Sequence, residues 1–421
     1  MGIRKEQMYA AIDVGTTKIA TLVAKVAQAG TMEIVALGHA TSEGMRKGMV
    51  VNPTELTGAI RRSVDDAQAM LGKRVPPVHV GITGGHLTCI NAAAQFNARG
   101  KKGLRTFSQA DIDHILKSTV DQSDKRRRIV HVLPRSYKVD NLQGVRSAIG
   151  MTGEKLGAES HVVVGDVATM DNLERVVRAS GVRVRGMVIE HLASAEAVLT
   201  SDERESGVIL VDIGGGTSDI AIYREGTAWY TGAIPVAGHH FTNDIAIGLG
   251  LPPTIAEATK VQYGSALLQG IDSKGVIEVE SGLGDHTRPI SHLTLNQLLH
   301  DRAVELVRMI LYKASQAGLT KVPPGGIVLT GGCANLPGLA EIVADYGKCQ
   351  VRIGSPAASL GLPLELEHSS FSTGVGLLLW AIQHRHPGAI ASSIEINESV
   401  FAKLRGWFSK LTPRSAAEVR V

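Results

Sequence analysis

The feature that most constrains this 421-residue chain is a pattern that occurs twice: an apolar run ending in Asp, a Gly/Thr-rich break, and a second apolar run. One copy is Gly207 to Tyr223, GVILVDIGGGTSDIAIY, and the other is Tyr9 to Val23, YAAIDVGTTKIATLV. Apolar/polar alternation on both sides of a short glycine break predicts strand, tight turn, strand. Gly214, Gly215 and Gly216 leave the turn before Thr217 without a Cβ, so backbone N–H groups can close around an anion. Asp212, ending the first strand, can then face a metal ion that accompanies that anion. A single turn of this kind reads more simply as an ordinary hairpin. Its repetition favours two related lobes closing on one nucleotide.

In the earlier copy, Asp13 is followed by Gly15, Thr16, Thr17 and Lys18. Lys18 can neutralise β- or γ-phosphate oxygens as a point charge, and the threonines can donate hydroxyls. The alternative is a solvated turn lysine. Neither copy is a Walker loop, because G-x-x-x-x-G-K-[ST] is absent, and no G-x-G-x-x-G follows a strand. Phosphate chemistry would therefore come from hairpin turns.

The length allows two or more domains, and a 44% hydrophobic, 20% charged composition is that of a soluble globular protein. A formal charge of +4 is too mild to argue for a nucleic-acid partner. Cys89, Cys333 and Cys349 are far apart and form no C-x-x-C, which indicates neither a disulfide framework nor a zinc site. The first residues lack the apolar core of a signal peptide, and the late run Val375 to Ile382 is far short of the roughly 20 residues that span a bilayer. The expected location of the protein's body is the cytoplasm.

In chain order, a strand is expected at Glu33–Ala40, and a helix at Pro53–Met70 with Asn52 as N-cap. Val78–Thr83 is a further strand. From Gly84 to Ser160 the texture changes: a strand (Leu87–Phe96), a basic loop, a helix from Ser108 with Asp111 at N3, and a strand (Ile129–Leu133). This reads as a strand–helix–strand module inserted into the first lobe. Its basic run Lys125–Arg128 is a solvated face or a binding patch. Val162–Val164 returns to the main fold, followed by a helix (Met170–Ser180) and a strand (Val182–Ile189). Glu190, at that corner, either orients an attacking water or merely caps the backbone. Past the second turn, Gly238 leads into a helix, and Glu257 and Lys260 share a helix face, free to pair with each other or to meet ribose hydroxyls. Strand Ile327–Leu329 then runs into Gly331-Gly332-Cys333-Ala334-Asn335 and a helix from Pro337. That glycine pair suits close approach of backbone to a flat base.

The three signatures, in this order, resemble the actin/Hsp70/hexokinase superfamily. LVDIGGGTSDIAIY, IPVAGHHFTNDIAIGLGLPPTIAEATKVQYGSAL, VLTGGCANLPGLAEIVA and QVRIGSPAASLGLP are similar to blocks of its bacterial cell-division family, FtsA. The resemblance covers nearly the whole chain and implies an α/β, two-lobed actin-like ATPase fold with an SHS2-type inserted subdomain (1C) at 84–160. The first lobe core (1A) would be 1–83, 161–206 and 362–386, and the second (2A) 207–238 and 325–361. The outer subdomain 2B would be 239–324. The resemblance further implies ATP as ligand. Gly15, Thr16, Thr17 and Lys18 would meet its phosphates from one lobe, and Gly214, Gly215, Gly216 and Thr217 from the other. Asp13 and Asp212 would lie near Mg²⁺ through water, while Gly238, Glu257, Lys260, Gly331, Gly332 and Asn335 would hold the nucleoside. Glu190 falls where actin-like ATPases carry a water-orienting Glu followed by Pro; here His191 follows, so at most weak ATPase activity is implied.

After a polar linker at 387–398, Val400, Phe401, Leu404, Trp407, Phe408 and Leu411 fall on one face of a helix at 399–412. Lys403, Arg405 and Lys410 flank or oppose that face, and Gly406 weakens the free helix. The pattern predicts an amphipathic segment that orders on an anionic membrane surface, with a last core helix as the alternative. By resemblance, the partners are the C-terminal peptide of FtsZ at subdomain 2B, further copies of the chain in protofilaments, and other division proteins at 1C. The place implied is the cytoplasmic face of the cell membrane at the division site. Two other readings remain open: a sugar-kinase-type phosphotransferase, and a pilus-assembly ATP-binding scaffold.

Overall fold

The computed structural model describes residues 7–27, 32–97, 103–120, 124–280 and 286–384. The linker and the amphipathic segment, with all nine residues assigned to the membrane, lie outside the described residues. So do parts of the basic loop at 99–105.

The first lobe begins with β1 (Gln7–Val14), β2 (Lys18–Val26) and β3 (Met32–Thr41), then α1 (Pro53–Leu71) and β4 (Val78–Ile82). Asn52 caps α1 as expected, its side chain accepting from the N–H groups of Thr54 and Glu55, and Pro53 occupies the first turn. The chain then leaves for the inserted module: β5 (Leu87–Asn97), α2 (Gln109–Ser118), β6 (Arg127–Val139), β7 (Leu142–Val145) and β8 (Lys155–Asp166). It returns through α3 (Val167–Ala179), β9 (Val184–Ile189) and α4 (Glu190–Val198).

The second lobe repeats the opening with β10 (Val208–Ile213), β11 (Ser218–Arg224) and β12 (Thr227–Ile234). Its outer part is α5 (Gly238–Leu249), α6 (Pro253–Tyr263), β13 (Val276–Glu280), β14 (Thr287–Ser291) and α7 (His292–Gln316). The chain closes with β15 (Ile327–Thr330), α8 (Leu339–Gly347), β16 (Val351–Ile353) and α9 (Ser372–Gln383).

The two lobe sheets are topological copies. Their strand orders are β9-β4-β1-β2-β3 and β16-β15-β10-β11-β12. In each, the strand before the glycine turn pairs antiparallel with the strand after it and parallel with the strand on its other side. The copies differ in what is inserted: the module of β5–β8 between β4 and α3 in one lobe, and α5–α7 between β12 and β15 in the other.

β10 explains why its sequence is an unbroken apolar run. Val208 and Leu210 pack into the core shared with the first lobe, while Ile209, Val211 and Ile213 pack into the second lobe's own core. Both sheet faces are buried, so alternation disappears. α4 and α9 fill the space between the sheets and cross closely. A Cβ on Gly376 of α9 would stand 1.8 Å from the Ala193 carbonyl of α4.

Three expectations need correction. The inserted module is a four-stranded sheet, β7-β6-β8-β5, with α2 on one face, and not a strand–helix–strand unit. Val162–Val164 does not return to the main fold. It is the end of β8, hydrogen-bonded between β6 and β5 within the inserted sheet, so that sheet runs through residue 166. Polar and small residues in the first half of β8 (Lys155, Gly157, Glu159, Ser160) hide this strand from an apolar pattern. Gly338, at φ +82°, also delays the helix expected from Pro337, which begins at Leu339.

Candidate functional site

The two glycine turns have the same backbone. Gly15 N–H donates to the Lys18 carbonyl at 3.1 Å, and Gly214 N–H donates to the Thr217 carbonyl at 3.0 Å. Each turn places four residues between the last strand pairs, Val14 with Ile19 and Ile213 with Ser218. The turns also face each other. A Cβ on Gly215 would stand 2.1 Å from Thr17 Oγ1, and one on Gly216 would stand 2.5 Å from Thr16 Oγ1. Only glycine allows the lobes to approach this closely at this point.

Gly331, at φ +86°, brings the third turn to the same place, since its Cβ would meet Asp212 Oδ1 at 2.4 Å. Asp212 and Thr330 are register partners on adjacent parallel strands, which is why the third turn sits beside the second. Gly238 opens α5, and the N–H groups of Gly238 and His239 donate to the carbonyls of Gly214 and Gly215 at 3.0 and 2.8 Å. All the phosphate-side candidates therefore lie together where the two lobes meet.

The floor of that junction is acidic. Asp13 and Asp212 are buried at the ends of β1 and β10, and Asp219 of β11 is 4% exposed. Burial, partly offset by Lys18 and reinforced by Asp212, pushes the Asp13 carboxyl up to about 7. Asp219 is likewise pushed by burial up to about 7, against a 2.6 Å hydrogen bond from the Thr83 hydroxyl. Burial also raises Asp212, although the hydroxyls of Ser194 and Thr373 donate to its Oδ2 at 2.5 and 3.1 Å. Glu190, the first residue of α4, is raised well above the usual range by burial and by repulsion from Asp13, Asp219 and Asp212. Beside it, His191 is 3% exposed, and burial lowers its pKa to about 3. The neutral ring, 3.8 Å from Asp219, therefore forms no ion pair with it.

Lys18 faces this floor from the first turn. Its ammonium donates to Ser370 Oγ at 3.0 Å and stands 3.2 Å from the centroid of the Phe371 ring. Burial lowers its pKa, countered by Asp13, Glu365 and Asp212. It is not a solvated turn lysine.

Glu257 and Lys260 do pair, at 2.7 Å, with the Glu257 carboxylate half-exposed and the Lys260 side chain drawn inward. Lys260 is buried, and its ammonium also donates to Thr242 Oγ1 at 2.9 Å and to the Gly238 carbonyl at 3.3 Å. Two of its protons are directed at α5 and the third at Glu257 on its own helix α6. Burial works to raise Glu257, but hydrogen bonds from Lys260 and Thr242 hold it below its ordinary range. Asn335 donates to Ser369 Oγ at 2.6 Å, and Ser369 donates to the Gly331 carbonyl at 3.0 Å.

Sequence reading missed the segment Ser369–Gly374, although six consecutive residues of it reach the three turns or the strand ends that carry them. Ser369 meets Gly331 and Asn335, Ser370 and Phe371 meet Lys18, and Ser372 accepts from Thr330 Oγ1 at 2.7 Å. Thr373 meets Asp212, and a Cβ on Gly374 would lie 3.8 Å from Asp13 Cβ. The only signal in the sequence is the dense run of small hydroxyl residues, SSFSTGVG. Ser194, Thr83 and Asp219 were missed for a related reason: each is a small polar residue whose partner lies far away in the sequence, 18, 136 and 136 residues respectively.

Comparison with known proteins shows the family. A family model described as cell division protein FtsA matches residues 209–376, and a model of the SHS2 domain inserted in FtsA matches 84–164. Cell division protein FtsA of Pseudomonas aeruginosa is 36% identical over 414 residues, spanning 96% of this chain and 98% of that protein. The chain belongs to the FtsA family. The Escherichia coli K12 FtsA is 32% identical, spanning 96% of each chain. The match of the SHS2 model through residue 164 agrees with a β8 that belongs to the inserted sheet.

At the level of fold, this FtsA-family chain is similar to the PilM–PilN type IV pilus biogenesis complex, with a TM-score of 0.63, 15% identity, and coverage of 89% and 98% of the two chains. It is also similar to Spiroplasma citri MreB5 bound to ADP, with a TM-score of 0.51, 13% identity, and coverage of 90% and 97%. The fold is actin-like with an SHS2 insertion. Among the described residues, no helix is long and apolar enough to cross a membrane.

Proposed function

We propose that this FtsA-family chain is an actin-like, ATP-binding division scaffold that polymerises and tethers FtsZ filaments to the cytoplasmic face of the cell membrane at the division site. The observation that carries the reading is the crevice itself, where two matching glycine turns, each behind a buried aspartate, meet across the lobes. The residues present fit a nucleotide with a divalent cation. Gly15, Gly215, Gly216 and Gly331 form a cradle that any Cβ would crowd. Among the described residues no three carboxylates or imidazoles stand close enough to ligate one ion directly, so a hard cation such as Mg²⁺ would be reached from Asp13 and Asp212 through water.

In this reading Thr16, Thr17, Lys18 and the glycines of both turns hold the phosphates, and Asp13 and Asp212 hold the cation through water. Gly238, Gly331, Gly332 and Asn335 hold the nucleoside, with Glu257 and Lys260 fixing the start of α5 beside it. Glu190 stands among the same carboxylates and would orient a water in slow hydrolysis. MreB5, of the same fold, has been seen with ADP. A sugar-kinase reading needs an aspartate facing a substrate pocket. The further aspartate that the fold supplies, Asp219, is buried and bonded by Thr83.

Membrane attachment rests on residues 399–412. Each large apolar side chain of that face would contribute at most roughly 1.5–3 kcal/mol on immersion, and each cation about 1 kcal/mol near anionic lipid. One copy then binds reversibly and a polymer binds firmly by avidity. FtsZ's C-terminal peptide would dock on the 239–324 subdomain, and other division proteins on the inserted module. Sedimentation with anionic liposomes tests the tether. The full chain should pellet with them and a chain lacking 398–421 should not; equal pelleting removes the tether.

A further inference from the structure

The inserted module touches both lobes. α2 covers one face of its sheet through Phe107, Ile112, Ile115 and Leu116. Residues of β5, β6 and β8 on the other side meet β12, the edge strand of the second lobe. There, His161 Nε2 lies 2.8 Å from Thr231 Oγ1, and Cys89 Sγ lies 2.9 Å from the same oxygen. His161 Nδ1 lies 2.7 Å from Asn91 Oδ1. Because an amide oxygen can only accept, Nδ1 carries the imidazole proton and Nε2 accepts from the Thr231 hydroxyl. The thiol of Cys89 then completes the chain by donating to Thr231.

This directional chain needs a neutral imidazole. His161 is 2% exposed, and burial with Arg135 nearby lowers its pKa to about 4. Thr231 is 2% exposed, so the contact is dry. Alongside, the Arg135 guanidinium stands 3.4 Å from the centroid of the Trp229 ring of β12. The base of the module is tied across the lobes as well. Thr83, the residue before the insertion, bonds Asp219 at the crevice floor.

We propose that this seam is a latch on the crevice: the inserted module holds the second lobe against the first, and the two glycine turns separate only when the seam parts. A ligand on the inserted module and a nucleotide in the crevice are then energetically coupled through the seam. The coupling to nucleotide rests on the nucleotide reading of the crevice, whereas the latch itself does not.

The test uses the full chain carrying T231C, whose sulfur replaces the Thr231 Oγ1 that lies 2.9 Å from native Cys89 Sγ, so that oxidation can join the two. T231C/C89S, treated with the same oxidant, is the control. Amide hydrogen exchange at 15–18 and 214–217 is measured in the oxidised and reduced forms, together with release of a fluorescent ATP analogue. Crosslinking should slow exchange at both turns and slow release about tenfold or more, with reduction restoring both. T231V, which removes the hydroxyl at nearly constant volume, should speed release roughly fivefold or more. Failure of the disulfide to form, or its formation with exchange and release both unchanged, overturns the latch. If the wild-type chain binds no nucleotide while crosslinking still protects both turns, the latch stands and the nucleotide reading falls.

Discussion

Thr83 donates its hydroxyl proton to Asp219 from the other lobe, and the carboxyl that receives it is pushed by burial up to about 7. Its folded pKa lies above its unfolded value near 3.8, so the folded state binds this proton more tightly. The stabilising contribution is fully present below about pH 4 and is lost as pH rises through about 7. Asp219→Asn keeps the shape and removes the titration. Relative to wild type, the variant should gain stability between pH 4 and pH 8, by up to ~4 kcal/mol from a shift of this size. Denaturant unfolding at several pH values checks this, and a constant difference across that range would contradict it. Buried histidines 131, 161 and 191, lowered by burial to about 3, 4 and 3, slope the wild-type curve the other way. The comparison with the variant is therefore the informative quantity.

At the scale of elements, the crossing of α4 and α9 holds the lobes in register. With 1.8 Å between a Gly376 Cβ and the Ala193 carbonyl, neither backbone can yield without moving a sheet. Gly376→Ala should cost ~3 kcal/mol or more, beyond the roughly 1 kcal/mol that alanine gains in helix propensity. A thermal melt unchanged from wild type would contradict this packing. The same crossing shows where sequence reading stops. The Asp-Gly turns were legible because a glycine break between apolar runs is a local signal, and Asn52 with Pro53 fixed the start of α1 for the same reason. The Ser369–Gly374 segment was not, because its partners are 34 to 361 residues away in sequence and small hydroxyl residues fit many settings. β12 and β8 were missed or misplaced because strands facing a polar seam lose the apolar pattern that reveals strands in a core.

At the scale of the whole molecule, two copies of one sheet, each carrying a large insertion at a different point, meet at their glycine turns. Duplication explains why the turns have the same backbone, and closure of the lobes explains why they touch. The insertions add what the duplicated core lacks: an outer subdomain of α5–α7 and a module that touches both lobes. The central claim is that the crevice between the turns holds a triphosphate. Equilibrium titration of ATP·Mg²⁺ against wild type and Gly215→Arg tests it most directly, because any side chain at 215 must enter the space taken by Thr17. The account predicts saturable binding by the wild type and none by a variant that melts cooperatively; equal affinity for both would contradict it.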